Sequence, residues 1–358
     1  MFYREAGQYK TSYQADQALF PIRQDQIGIV LILAAAFILV PLTASEFVID
    51  SVLTPILIFS LAAIGLNLLT GYTGLLSLGT GGFMGVGAFA CYKLETYFSG
   101  INIIVLIVCS GFFSAAAGIV FGLPSLRIKG FYLAVATLAS QFFLSWCFIR
   151  IPWLYNYNIS ASIEVPTRTL FSIPVTGPNA TAITRYLIVL TIVAVMTLLA
   201  SNLIRGRIGR TWMAVRDMDI AAELIGIKLY PTKLLAFAVS SFYCGVAGAM
   251  LVFLWLGNAE SESFSINQSF LVLFMVIIGG LGSLLGSYLG AALIFGLPIV
   301  LRMLKAAFGL SITSATVEHI NFMTLGALII FFLIAEPNGL ARLWQIGKQK
   351  LRVWPFPY

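Results

Sequence analysis

The chain is organised by long apolar runs separated by short polar joints. Ten stretches have the length of a membrane-crossing helix: 27–42, 47–70, 74–98, 101–121, 131–149, 186–204, 234–256, 269–285, 288–304 and 320–335. A helix needs about 20 apolar residues to cross a hydrocarbon layer of about 30 Å. The pattern therefore predicts an all-α integral membrane protein of about ten transmembrane helices. The third and eighth stretches are rich enough in glycine to be broken or partial spans. The sequence divides into an N-terminal segment (1–26), a transmembrane region (27–336) and a C-terminal tail (337–358).

Composition sharpens this reading. The chain is 59% hydrophobic and only 10% charged, with a mean hydropathy of +0.96. A soluble domain of this length could not hide so much apolar surface. The net charge of +7 follows from where the cations lie, and nucleic acid is not needed to explain it. With ten spans, Arg4, Lys10, Arg23, Arg127, Lys129, Arg205, Arg207, Arg210, Arg216, Lys228, Lys233, Arg342, Lys348, Lys350 and Arg352 fall on one side. Lys93, Arg150, Arg168, Arg185, Arg302 and Lys305 fall on the other. The positive-inside rule then puts both termini in the cytoplasm. Arg302 and Lys305 fit this arrangement poorly. The N-terminus has no cleavable-signal pattern, so the first span is expected to act as the insertion signal.

Two polar segments interrupt the apolar pattern. The outer loop 150–185 is rich in Pro, Asn, Ser and Thr and is expected to form an irregular cap. The cytoplasmic segment 205–233 is a charged island in an oily chain. Its first part, "RIGRTWMAVRDM", places Ile208, Trp212 and Val215 on one helical face, which predicts an amphipathic surface helix. Asp219 can cap a second short helix, with Glu223 in its first turn favouring the N-terminal dipole. Gly226 suits the left-handed position after that helix, and Pro231 is expected to block its continuation. So short a helix is unstable alone and needs a partner surface. Ala221 and Ala222 offer a smooth flank, while Ile220, Leu224 and Ile225 could enter a groove on a soluble partner.

Candidate chemistry is sparse. There is no phosphate-binding Gly-x-x-x-x-Gly-Lys-Ser/Thr loop and no metal or nucleophile constellation, so no enzyme is expected. The four cysteines read as small buried hydrophobes. Asp50 is the main ionisable residue within a span, near its outer end, as a packed carboxylate or part of an outer gate. Asn67, Ser77, Thr80, Ser140, Gln141 and Ser240 are neutral midspan polar groups that could line a path or join helices. Gly71, Gly74, Gly81 and Gly82 belong to one glycine cluster, and Gly279, Gly280, Gly282, Gly286 and Gly290 to another. Their spacing predicts close helix packing beside any path, and the two clusters resemble a faint internal repeat.

The stretch "AAELIGIKLYPTKLLAF" resembles the EAA loop of ABC importer permeases, which docks a coupling helix on an ATPase subunit. Ala221, Ala222 and Gly226 match that pattern, and Ile220 stands in place of its glutamate. "GYTGLLSLGTGGFMGVGAF", "LRIKGFYLAVATLA", "GRTWMAVRDMDIAAELIGI" and "VIIGGLGSLLGSYLGAAL" are each similar to LivM-type permeases of branched-chain amino acid importers. The likeness runs from about Leu53 to Ala335. Two features depart from that family's pattern: Thr80 replaces a common histidine, and "NYNISASIEVP" replaces a glycine-rich segment.

The resemblance implies a permease subunit in the bacterial inner membrane that moves branched-chain or other hydrophobic amino acids inward. It implies a second homologous permease, two ATP-binding subunits that bind ATP and Mg, and a periplasmic binding protein. This chain itself would hold no cofactor. Its coupling residues would be Arg216, Asp217, Asp219, Ile220, Ala221, Ala222, Glu223 and Gly226. Urea, short amides or small carboxylates are the alternative cargo. An ion-coupled carrier is a rival mechanism, disfavoured by the scarcity of midspan carboxylates.

Overall fold

The computed structural model describes residues 11–12, 23–126, 132–160, 162–170, 173–177, 180–307, 313–336 and 338–353. Arg4, Lys10, Arg127 and Lys129, which enter the charge-sidedness reading, lie outside these residues. Nine described helices are long and apolar enough to cross a membrane. They are α1 (Gln26–Thr43), α2 (Glu46–Thr73), α4 (Ile103–Ser125), α5 (Leu133–Arg150), α6 (Ala182–Arg205), α9 (Leu229–Leu256), α10 (Ser261–Gly279), α11 (Leu284–Lys305) and α12 (Thr316–Ala335). The expected third span is helix α3, Thr80–Tyr97, which carries Lys93 and Glu95 and is less apolar than the rest. Two short helices, α7 (Arg207–Asp217) and α8 (Asp219–Leu224), link α6 to α9. Helix α13 (Gly339–Val353) follows α12. The chain is an all-α, multi-pass membrane protein.

Helix α9 lies at the centre because small residues let its neighbours approach. A Cβ at Gly87 would strike the backbone of Gly245, and one at Gly248 would strike Met84. Gly118 faces Ser241 on the α4 side, and Gly65 faces Tyr243 on the α2 side. In lipid this backbone proximity replaces the hydrophobic drive of a soluble core. Accordingly 78% of the best window of α2 and 83% of that of α9 are buried, against 11% for α12.

Helix α3 does not start at Gly74. Ser114, at the middle of the 23-residue α4, donates to the carbonyl of Phe83 in the first turn of α3 at 2.9 Å. Helix α3 therefore begins near half-depth, and residues 74–79 reach that point without helical structure. The regular part of α10, Ile266–Gly279, is also short; at 14 residues it spans about 21 Å. Helix α3 thus starts part-way across, and α10 reaches spanning length only with its 3-10 start, Ser261–Phe264.

Three helices contain a widened, π-helical turn: Ala35–Leu39 in α1, Ile49–Leu53 in α2 and Leu251–Leu256 in α9. Such turns loosen the regular backbone ladder and leave carbonyls to take other donors. Tyr186 donates to Ala36 O at 3.1 Å, Thr54 to Ile49 O at 2.8 Å, and Trp255 Nε1 to Asp50 O at 2.8 Å.

The loop 150–185 is more ordered than its composition suggests. A 3-10 turn at Pro152–Tyr155 is followed by β1 (Ile163–Glu164), which pairs antiparallel with β4 (Asn258–Ala259) in the link between α9 and α10. Strands β2 (Thr169–Leu170) and β3 (Ile173–Pro174) form a second small ladder. Ile163 and Val175 are fully buried beneath it. Arg168 pairs with the buried Glu95 near the end of α3, with Nη2 to Oε1 at 2.6 Å, and also bonds Ser99 O. Lys93 bonds Asn156 and lies 4.4 Å from the centre of the Trp153 ring.

Candidate functional site

The charged island forms an elbow on the face opposite this loop, here called the basic face. Arg207–Asp217 is amphipathic because Trp212 and Val215 are buried while Arg216 and Asp217 stay exposed. Ile208, expected on the same covered face, is exposed. The next helix begins at Asp219, so Asp219 is its first residue and not its cap; the Met218 cap makes no side-chain bond. Asp219 instead meets Lys233 of α9 at 3.7 Å. The helix ends as its sequence predicts, with Gly226 at φ +90°. Gly226 N donates to Glu223 O at 2.9 Å, and Ile227 N to Ala222 O at 3.0 Å. These two bonds form a Schellman stop, which needs a residue that tolerates the left-handed region. Pro231 lies in the first turn of α9, where its missing N–H costs nothing, so it starts a helix and does not block one.

The two faces of α8 differ sharply. Ala222 is 2% exposed and packs toward the helix bundle. Ile220, Leu224 and Ile225 are 71%, 84% and 75% exposed, and Met218 is exposed beside them. Ala221 and Glu223 also face outward. The expected smooth flank therefore splits: Ala221 is available and Ala222 is not. An apolar patch beside charges on an otherwise basic surface is the mark of an interaction site.

The elbow is rooted in both glycine clusters. Arg216 Nη1 donates to Gly71 O at 2.9 Å, while its Nε and Nη2 hold Asp217 Oδ1 at 2.9 and 2.8 Å. Gly74, at φ +71°, lies against the Arg216 side chain. The fully buried Asn67, one turn before Gly71, accepts from Gly282 N at 2.8 Å. Its amide nitrogen donates to Ser283 O at 2.8 Å and Ser287 Oγ at 3.1 Å. Asn67 thereby binds α2 to the turn between α10 and α11. That turn needs Gly280 at φ +118° and Gly282 at φ +75°. Gly282 thus makes a turn and does not belong to a helix-packing stripe. Gly279, Gly286 and Gly290 do the packing: α11 lies on α10 so closely that a Cβ at Gly290 would strike the Met275 carbonyl.

Thr80, Gly81, Gly82 and Gln141 meet at half-depth. The first amides of a helix have no partner within it. Here Gly81 N donates to Ser269 Oγ at 2.8 Å and Gly82 N to Gln141 Oε1 at 2.5 Å. Gln141, fully buried, returns a bond from Nε2 to Phe264 O at 2.7 Å. Its amide joins α3, α5 and the start of α10 in one closed network. Ser77 is buried, and its hydroxyl accepts from Gly79 N at 3.4 Å. Leu78 N donates to Thr137 Oγ1 at 2.9 Å. Ser140 returns its hydroxyl to Ala136 O within its own helix. Among the described residues no cluster of His, Cys, Asp or Glu could hold a metal ion.

These parts define a polytopic membrane protein: glycine-packed helices, neutral polar hubs at half-depth and an exposed apolar helix on the basic face. The family model described as the permease component of branched-chain amino acid transport systems matches residues 48–334, and the chain belongs to that family. It is 30% identical over 333 residues to the high-affinity branched-chain amino acid transport system permease protein LivM of Escherichia coli (strain K12), covering 87% of this chain and 73% of that one. The LivM protein of Salmonella typhimurium (strain LT2) matches to the same extent. A probable branched-chain amino acid transport permease protein LivM of Methanocaldococcus jannaschii is 27% identical over 249 residues, covering 67% of this chain and 69% of that one. No solved structure matches.

Proposed function

We propose that this chain is a translocation subunit of a bacterial ABC importer that carries branched-chain or other hydrophobic amino acids inward. ATP and Mg would be bound by two ATPase subunits in trans. A second homologous permease and a periplasmic binding protein would complete the assembly in the inner membrane. The basic face, with the termini, would be cytoplasmic. Arg302 and Lys305 stay on the opposite side in this arrangement, as they lie in the last turns of α11.

The observation that carries this reading is the exposed apolar face of Asp219–Leu224, tied to the permease through Ala222, Lys233 and Arg216. A helix held on one side and open on the other can pass rigid-body motion from a soluble motor to the spans. Closure of the ATPase dimer would push the elbow against Gly71 and Gly282, and the α2–α10–α11 junction would shift with it. The neutral hubs at Asn67 and Gln141 suit an uncharged or zwitterionic cargo whose motion is driven elsewhere. Reconstitution with the ATPase subunits and binding protein in vesicles tests the proposal. ATP-dependent leucine uptake is expected; uptake driven by an ion gradient without ATP would refute it.

A further inference from the structure

A cavity of about 550 Å3 opens on the face opposite the elbow, between the π turn of α2 and the first turn of α6. Asp50 and Arg185 face each other across it, with Oδ1 and Nη1 3.9 Å apart. That separation is too long for a hydrogen bond. Asp50 Oδ1 and Arg185 Nε are both buried without any hydrogen-bond partner. The two charges are thus held close but not joined: each has one buried atom without a partner, while the side chains stay 39% (Asp50) and 22% (Arg185) exposed toward the cavity. The geometry is not accidental slack: Trp255 fixes the backbone carbonyl of Asp50, and Ala180 O accepts from Arg185 Nη2 at 3.3 Å. Glu46 adds a second carboxylate on the rim, and the exposed Phe47 supplies an apolar ring.

One cation, two carboxylates and an exposed ring match a molecule with a carboxylate, an ammonium and an apolar side chain. We propose that this cavity is an outer vestibule site for a zwitterionic α-amino acid. Arg185 takes the carboxylate as a planar, charge-assisted donor. Asp50 and Glu46 take the ammonium, and Phe47 receives the side chain. Binding parts the Asp50–Arg185 couple and gives each charge a partner in hydrogen-bond range. The identity of the amino acid as cargo rests on the function proposed above; the site itself rests on the couple and its cavity.

The test is equilibrium binding of L-leucine to the purified full-length chain, without binding protein or ATPase, beside 4-methylpentanoate and 3-methylbutylamine. These probes lack the ammonium and the carboxylate, respectively. Leucine is expected to bind with a Kd on the order of 1 mM, and each half-molecule at least about tenfold more weakly. Asp50→Asn and Arg185→Gln should each weaken leucine binding about tenfold, and Arg185→Lys should weaken it less. Asp50→Asn keeps the carbonyl that holds Trp255, and unchanged thermal melting of both variants excludes a folding defect. The proposal is overturned if leucine does not bind, if a half-molecule binds equally well, or if both variants bind like wild type. In vesicles with all subunits, unchanged leucine KM in both variants would also overturn it. Leucine binding that needs both charges, with no ATP-driven uptake, would keep the site and refute the importer reading instead.

Discussion

Arg216 Nη1 donates to the carbonyl oxygen of Gly71 at 2.9 Å, joining the charged elbow to the end of a transmembrane helix 145 residues earlier in the chain. The same guanidinium holds Asp217, so one side chain sets the elbow's angle and roots it in the membrane domain. Arg216→Gln removes the fork and leaves the exposed face of α8 untouched. The expected result is retained ATPase capture in a pull-down, with uptake reduced about tenfold, equivalent to about 1.4 kcal/mol of lost coupling. Loss of capture in step with uptake would assign Arg216 to the contact itself.

The two faces of α8 should separate binding from folding. Leu224→Asp places a charge on an 84% exposed position, so stability should change by less than about 0.5 kcal/mol while ATPase capture is lost. Ala222→Asp buries an unpaired carboxylate and should destabilise the chain by about 3 kcal/mol. Melting curves and pull-downs on the same preparations check both outcomes.

Glycine substitutions should sort by space. Gly290→Ala drives a methyl into the Met275 carbonyl and should cost about 1–3 kcal/mol through a forced backbone shift. At Gly296, also in α11, an added methyl would meet nothing within 4 Å, and Gly296→Ala should be neutral or stabilise by about 0.5–1 kcal/mol. Denaturant titration of the two variants reads the difference.

Removing Arg168 leaves Glu95, a buried carboxylate, unpaired. Arg168→Gln should loosen the outer loop by about 3 kcal/mol, and adding Glu95→Gln should recover part of the loss. Amide hydrogen exchange at Ile163–Glu164 and Asn258–Ala259 is the readout, because that ladder ties the loop to the α9–α10 link.

Much of this architecture was legible in the chain because lipid demands long apolar runs; most positions agree with the helices to within about five residues, but stretch 74–98 begins its helix only at Thr80 and stretch 269–285 corresponds to Ser261–Gly279. The ends differ where polar residues continue a helix past the apolar layer: α6 starts at Ala182, before Tyr186, under the cap of Thr181. The Gly226 stop was legible because its chemistry is local. The start of α3 was not, since Leu78 depends on Thr137 and Gly82 on Gln141, each 59 residues away. The same applies to Arg216 and Gly71. Ala222 was misplaced because a helical pattern of alanine and isoleucine does not say which side the rest of the protein covers. The π turns and the open Asp50–Arg185 couple leave no spacing signature at all.

The most direct measurement of the central claim is site-specific photo-crosslinking in membranes that contain the full transporter. A benzophenone side chain is placed at Leu224 in one sample and at Ile159 in another; Ile159 is fully exposed but lies in the outer loop, on the face opposite the elbow. The account predicts that position 224 captures the ATPase subunit with a yield that changes with ATP, and that position 159 does not. Capture from position 159 but not 224, or equal capture from both regardless of ATP, would contradict it.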